Sequence, residues 1–310
     1  MSFVDAAEKG TPTAPMLTFV ALCLFARLCY SLNDVLVGRL GRRYSRLEVS
    51  AFRGTSLGLS MAPWLLLVPL GSWSALFRHP VEFVLTVGVT AIGNLLYLQA
   101  VRFIPFGLRS ALFIGSMAAC SLVIGWAVFG ERLTELQLGL CVVLVLSGAG
   151  IALGSHAGTE YVVDVPRGAA LTIAGGALMA GAVTGVKFLA HASHPLLAAW
   201  AWEFGAGVIL LAPALIRGGA AEVPDSVSLR FGRVALASLP TAFASGASVL
   251  ALDLGELGPW AALGGTQILF IAVLGALWHQ ETLGRTRWAL MVVASCAVAA
   301  LALSRDLPPR

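Results

Sequence analysis

The sequence predicts an all-α membrane protein, with ten transmembrane helices arranged as two inverted five-helix repeats around a central cavity. The first observation is composition: 58% of the 310 residues are hydrophobic and only 12% are charged, whereas a soluble domain carries about 25% charged residues. The second is a set of ten apolar segments, and the third is an internal repeat. A mean hydropathy of +0.87 indicates that the bilayer is the solvent for most of the chain.

The apolar segments are long enough to cross a membrane, which takes about 20 residues of helix. They run over residues 17–38, 47–70, 81–101, 107–129, 134–155, 167–190, 195–216, 231–253, 258–280 and 284–304. None of them alternates as barrel strands do, so a helical bundle is predicted. Trp260 opens the ninth segment, and we expect it to anchor the chain at the membrane interface.

The chain resembles itself in its two halves. Glu131 in FGERLT follows the fourth segment and Glu281 in HQETLG follows the ninth, and the motif beginning at Ala100 aligns with the one beginning at Ala251. Because five is odd, duplicating a five-helix unit inverts the second copy, as in transporters with a substrate site between their repeats. The predicted domains are a polar N-terminal tail (1–16), the first repeat (17–155), a linker loop (156–166), the second repeat (167–304) and a C-terminal tail (305–310).

Four motifs carry a resemblance to a known family. They are FGERLT at 129–134, the apolar run LQLGLCVVLVLSGAGIAL that ends at residue 153, the arginine of AFRG at Arg53, and HQETLG. In these, the sequence resembles the drug/metabolite transporter superfamily, in its ten-helix EamA-type branch, over roughly residues 17–304. The resemblance implies a multi-pass transporter of the bacterial inner (plasma) membrane that exports, or less often takes up, small metabolites. The chain departs from the family pattern at Cys29, Tyr30 and Gln280. Substrate-binding residues known in other members of the superfamily are therefore not assigned to this sequence.

Ionisable residues within the first two segments point to a cavity, because a charge in the membrane is costly and faces the bundle interior, a partner or water. Arg27 and Asp34 share one helix face, flanked by Tyr30. They either line a cavity or form an internal ion pair, and Asp34 alternatively reaches the interface. Arg53 either binds a carboxylate or phosphate through its planar fork, pairs with Asp34, or extends to the headgroups.

Uncharged polar residues supply hydrogen-bonding groups in other segments. Asn94 and Tyr97 share a stripe of the third segment, and Gln267 lies in the ninth beside three small polar or glycine residues. These side chains are expected to contact cargo or a neighbouring helix. Glu131 and Glu281 lie where one helix ends and the next begins, so we expect them to cap helix amides instead of binding substrate.

The second half contributes Lys187, Trp200 and Glu203. Lys187 corresponds in position to Asp34 of the first half, and it either lines the cavity or extends to the headgroups. Glu203 lies within an apolar helix beside tryptophans, which makes it the candidate for proton coupling, its alternative being a structural partner of Lys187 or Arg27. The predicted substrate-binding residues are Arg27, Tyr30, Asp34, Arg53, Asn94, Tyr97, Lys187, Trp200, Glu203 and Gln267.

Other chemistries find no support in the sequence. The basic residues do not cluster with aromatics as nucleic-acid surfaces do, and the histidines at 191 and 194 lack an acidic third metal ligand nearby. GTSLG at 54–58 matches a nucleophile elbow but lies inside an apolar helix. There is no phosphate-binding loop or dinucleotide motif. We therefore expect no enzyme activity, metal or cofactor, although a membrane-embedded enzyme and a lipid or amphiphile flippase are the alternative functions.

Loop charges predict the orientation. One side carries twelve arginines, including Arg109 and Arg230, and the other carries five basic residues, so the loop at 39–46 is predicted to be cytoplasmic and both termini outside. The predicted function is export of a small polar or zwitterionic metabolite, an amino acid or a derived compound including metal-chelating ones, by proton-coupled alternating access. Expected partners are the small-molecule substrate and membrane lipid, and the chain is expected to be a monomer or homodimer.

Overall fold

The computed structural model describes residues 14–104, 106–131, 134–153, 164–217, 225–279 and 284–303, and regular structure in these ranges is entirely helical, as predicted. The first half contains α1 (Ala14–Arg43), α2 (Arg46–Met61), a 3₁₀ helix (Ala62–Leu67), α3 (Leu70–Phe77), α4 (Pro80–Ala100), α5 (Phe106–Phe129) and α6 (Glu135–Leu153). The second half contains α7 (Val165–Ala192), α8 (Pro195–Arg217), α9 (Val227–Leu254), α10 (Leu257–Leu263), α11 (Thr266–His279) and α12 (Arg285–Leu303).

Six of these helices, α1, α4, α5, α7, α8 and α9, are apolar and long enough to cross a membrane, judged over the described part of the chain. Their outward surfaces carry large exposed hydrophobic side chains such as Leu85, Ile216 and Leu236. In water such surfaces would be sites of aggregation or binding. In a bilayer they are the natural contact with lipid tails, so the protein is a multi-pass membrane protein.

Two predicted segments are broken in the structure. The segment at 47–70 leaves α-helical geometry after Met61, because Pro63 has no amide hydrogen for a helical hydrogen bond, and the chain continues as the 3₁₀ helix. The segment at 258–280 divides at Gly264 and Gly265, whose amides bond three residues back to Ala261 and Ala262. A Cβ atom at Gly264 would lie 2.6 Å from the Ala261 carbonyl oxygen, so this tight turn requires glycine.

Helices from opposite halves form the principal interfaces of the bundle. Helix α2 packs along α8, α4 along α7, α1 along α9, and α6 along α12. The α2–α8 contact is close enough that a Cβ atom on Gly54 would lie 2.5 Å from the Gly207 Cα atom. Small residues allow such approach of helix backbones in membranes. The two helices that carry Arg53 and Glu203 are therefore held together at the backbone level.

The arginine count used for orientation needs a correction. Arg109 is buried within α5, and Arg230 is buried within α9, where its guanidinium pairs with the Glu48 carboxylate at 3.1 Å. Both arginines were assigned to loops from the sequence. Both lie within helices, so the loops of that side hold fewer arginines than the count assumed.

Candidate functional site

A central cavity lies among α1, α2, α4, α5, α7, α8, α10 and α11, so both halves of the chain line it. Its empty volume, open mouth included, is about 930 Å³, a size typical of small-molecule sites. Eight of the ten residues predicted from the sequence line this cavity: Arg27, Tyr30, Asp34, Arg53, Asn94, Tyr97, Glu203 and Gln267. The apolar part of the lining includes Phe113, Ile114, Met117, Met179, Val183 and Trp202.

Arg27 lies in the middle of α1 with its side chain only 3% exposed. Its guanidinium carbon is 4.3 Å from the ring centroid of Trp260 and 5.9 Å from that of Tyr30. One terminal nitrogen donates a hydrogen bond to the Trp260 carbonyl oxygen at 3.3 Å. The Nε atom has no hydrogen-bond partner within the described residues.

The setting of Trp260 differs from the sequence prediction. It was expected at the membrane interface, yet it is 2% exposed and lines the cavity beneath Arg27. The cause is the break after α10: that helix has only seven residues, so the tryptophan near its start lies deep in the bundle. An amphipathic aromatic ring is common at the interface, and composition alone does not separate the two settings.

Arg53 and Glu203 form an ion pair across the α2–α8 interface, with 3.5 Å between nitrogen and oxygen. Glu203 is 2% exposed, and its other carboxylate oxygen accepts a hydrogen bond from the Ser245 hydroxyl at 2.6 Å. The Tyr30 hydroxyl lies 3.1 Å from the same Ser245 oxygen. The sequence interpretation did not include this pairing: it named Asp34 as the possible partner of Arg53, and Lys187 or Arg27 as the possible partner of Glu203.

Asp34 lies further along α1 and is held by α11. The Gln267 amide donates a hydrogen bond to its carboxylate at 2.9 Å, and the guanidinium groups of Arg53 and Arg109 both attract it. Arg109 is buried over the Tyr97 ring, with its guanidinium carbon 4.2 Å from the ring centroid. The sequence interpretation did not name this arginine as a cavity residue, although Arg109 aligns with Trp260 when the two halves of the chain are aligned.

Lys187 and Trp200 are placed away from the cavity lining. The Lys187 ammonium is 2.7 Å from the Glu131 carboxylate, and both side chains are 7% exposed. The Trp200 indole donates a hydrogen bond to the Gly58 carbonyl oxygen at 3.1 Å. Trp202, two residues on, is the tryptophan of this helix that faces the cavity.

Glu131 caps a helix, as predicted, but that helix belongs to the other half of the chain. Its carboxylate accepts hydrogen bonds from the backbone amides of Leu257 at 2.6 Å and Gly258 at 3.0 Å. These are the first amides of α10, where a negative charge is favoured by the exposed N–H groups and the helix dipole. The corresponding Glu281 lies outside the described residues.

The fold is that of an all-helical, multi-pass membrane protein, and its central cavity is lined by charged residues from both halves of the chain. Residues 17–154 match the model of the EamA-like transporter family, which is part of the drug/metabolite transporter superfamily. Proteins of this family are membrane transporters, not enzymes.

The fold is also found among solved structures. The chain is similar to a crystal structure described only as that of a protein, with a TM-score of 0.73 and 12% sequence identity, over 96% of this chain and 100% of the other. At that identity the similarity establishes the fold alone. No curated protein matches the chain.

Proposed function

We propose that the protein is a secondary active transporter that exports a small polar or zwitterionic metabolite by alternating access. The observation that carries this proposal is a cavity lined by both halves, in which Arg27, Arg53, Asp34 and Glu203 place charges of both signs. Buried charges in a membrane protein mark substrate or ion pathways. An amino acid or an amino-acid-derived compound, including a metal-chelating one, suits such a lining better than a lipophilic cation.

The helix contacts support the two inverted repeats that alternating access requires. In the predicted repeat, α1 corresponds to α7, α2 to α8, α4 to α9, α5 to α10 and α11 together, and α6 to α12. Exchanging each helix for its counterpart converts the α4–α7 contact into the α9–α1 contact, and the α5–α7 contact into the α11–α1 contact. The α2–α8 and α6–α12 contacts are each converted into themselves. This is the pairing that two copies related by a two-fold axis would make, and the five spans per copy predicted from the sequence would place that axis in the membrane plane.

Glu203 is the proposed site of proton coupling. Its carboxylate is buried and faces the cavity, with Arg53 and Ser245 as its partners. A proton on this carboxylate and a cationic group of the cargo would compete for one position. That competition is the basis for exchanging outgoing cargo against an incoming proton.

The test uses the full chain in proteoliposomes. A thermal-shift screen of amino acids, metal-chelating amino-acid derivatives, sugar phosphates and cationic drugs first supplies the cargo. With Glu203→Gln, we expect cargo exchange without a gradient to persist while accumulation driven by a pH gradient is lost. Glu135→Gln, at an exposed position that begins α6, is the matched control. Unchanged pH-driven transport by the Glu203 variant would remove this residue from the coupling mechanism.

A further inference from the structure

We infer that the cargo carries a carboxylate or a similar planar oxyanion that binds Arg27, and that its body is apolar or aromatic. This inference rests on the proposed transport function and narrows the substrate class. It follows from the charge pairing around the cavity, from the geometry of the Arg27 side chain, and from the wall beside it.

The other cavity charges already have partners of opposite sign. Arg53 pairs with Glu203 at 3.5 Å, and Asp34 is attracted by both Arg53 and Arg109. Within the described ranges, Arg27 forms no ion pair with any carboxylate. Arg27, Arg53 and Arg109 thus carry three positive charges against the two carboxylates of Asp34 and Glu203. The positive charge without a carboxylate partner is that of Arg27.

A buried guanidinium without an anion is costly, because desolvation of an ion in a protein costs several kcal/mol. The Trp260 and Tyr30 rings offset part of this cost through cation–π attraction. An anion binds at the edge of a guanidinium, where the N–H groups point. The Nε atom of Arg27 has no hydrogen-bond partner among the described residues.

A carboxylate is the natural complement to this edge, since it accepts two parallel N–H bonds from a guanidinium. The cavity that Arg27 lines provides the space for this group. Gly264 keeps the neighbouring backbone free of a side chain, because a Cβ atom added there would lie 3.5 Å from the Arg27 guanidinium carbon. The same added atom would lie 3.5 Å from Ile114. The charged group and the apolar wall of the cavity thus meet at this glycine.

The wall adjoining Arg27 fits an apolar body. Ile114, Met117, Met179 and Val183 line the cavity from α5 and α7. Methionine side chains are flexible and polarisable, so they adapt to aromatic or branched shapes. A cavity with a fixed anion site and an adaptable apolar wall selects amphiphilic carboxylates.

The test measures binding of three probes with one common body to the purified full-length protein in phosphatidylcholine nanodiscs. They are 3-phenylpropanoate, its neutral amide and 3-phenylpropylamine. We expect the carboxylate to bind at least about tenfold more tightly than the amide, which is a modest gain for a charge-assisted hydrogen-bonded pair. The amine is expected to bind most weakly. This comparison uses the unmodified chain and so does not depend on a variant that folds.

Variants then locate the site. Arg27→Gln is expected to remove the preference for carboxylate over amide, and Arg27→Lys to retain part of it, because lysine keeps the charge but loses the fork. Arg78→Gln, at an exposed position beyond α3, makes the same change in charge and is expected to keep the full preference. Equal binding of carboxylate and amide, no carboxylate binding at millimolar concentration, or an unchanged preference in Arg27→Gln would each overturn the inference.

Flux measurements in proteoliposomes separate this inference from the proposed function. If the three probes are carried across the membrane at equal rates and with equal affinity, transport stands and the Arg27 site is wrong. If the carboxylate binds through Arg27 but is never carried, and no compound from the screen is carried, the anion site stands and the transport function is wrong.

Discussion

Two buried charge clusters in this molecule differ in how well they are satisfied. In the cluster of Glu131 and Lys187, the carboxylate receives an ammonium at 2.7 Å and two backbone amides at 2.6 and 3.0 Å. In the cavity, Arg53 and Glu203 are 3.5 Å apart, and Arg27 has aromatic faces in place of a carboxylate. The first cluster is complete within the protein, whereas the second has capacity for another charged molecule.

Structural and functional charges in a membrane bundle differ in how completely the protein itself satisfies them. A buried ion pair repays its desolvation cost when the geometry is good and further hydrogen bonds satisfy the remaining atoms. The Glu131 cluster meets this condition and joins α10 to the first half. Residues that do not meet it are found where proteins trade stability for function, and Arg27 is such a residue.

The largest effect on stability is expected from Glu131→Ala. This change leaves the Lys187 ammonium buried without its partner and exposes the first amides of α10. Breaking a buried pair in this way costs about 3–5 kcal/mol, to be measured as the free energy of unfolding in mixed detergent micelles. Glu135→Ala at its exposed position should change that free energy by less than about 0.5 kcal/mol. Similar losses in the two variants would mean that Glu131 is not a structural residue.

A smaller loss is expected from Gly54→Ala, because the added methyl group would force α2 away from Gly207 of α8. Overpacking of this kind costs about 1–3 kcal/mol, and here it also widens the Arg53–Glu203 separation, so transport should fall as well. The control is Gly88→Ala, since nothing lies within 4 Å of a Cβ atom there, and alanine favours a helix over glycine by about 1 kcal/mol. Loss of stability in both variants, or in neither, would contradict close packing at Gly54.

The smallest effect is expected at Asp225, just before α9 at the opposite end from Glu131. The pKa of Asp225 lies below its usual range because the Tyr44 hydroxyl donates a hydrogen bond to it, and Arg233 and Arg43 add positive charge. A lowered pKa in the folded state stabilises the fold above the ordinary carboxyl pKa of about 3.9, and this stabilisation is lost as the pH falls through the lowered value.

Asp225→Asn should therefore lower the midpoint of thermal unfolding at neutral pH and match the unmodified protein at strongly acidic pH. Melting curves of both proteins across the pH range give this comparison. A difference that stays constant with pH would show that the carboxylate charge contributes nothing.

Most of the charged residues that line the cavity were predicted from the sequence, because a charged side chain without a partner in the membrane costs free energy. An arginine or glutamate within an apolar helix is expected to face inward, so Arg27, Arg53 and Glu203 were identified from position alone. Helical spacing placed Asp34 on the same face of α1 as Arg27, with Tyr30 flanking that face. All five line the cavity. The helical class followed from composition in the same way, whereas the count of ten spans and the inversion of the repeats stay predictions.

Two features could not be predicted from position along the chain: which charged residues pair with each other, and how deep a residue lies in the helix bundle. The partner of Lys187 is Glu131, 56 residues away, and the packing of α5 against α7 brings them together. Trp260 and Arg109 lie near the beginnings of their helices, where sequence rules expect the interface or a loop. The turn at Gly264 places Trp260 deep in the bundle, and such a turn inside an apolar run has little signal besides paired glycines.

The most direct test of the distinction between the two clusters measures stability and ligand response together in Arg27→Gln and Lys187→Gln. With 3-phenylpropanoate as the probe, we expect Lys187→Gln to melt at a lower temperature than the unmodified protein but to keep its stabilisation by the probe. We expect Arg27→Gln to melt at or above the temperature of the unmodified protein and to lose that stabilisation. If Arg27→Gln instead destabilised the fold and still responded to the probe, while Lys187→Gln stayed stable and did not respond, Lys187 would be the functional charge and Arg27 the structural one.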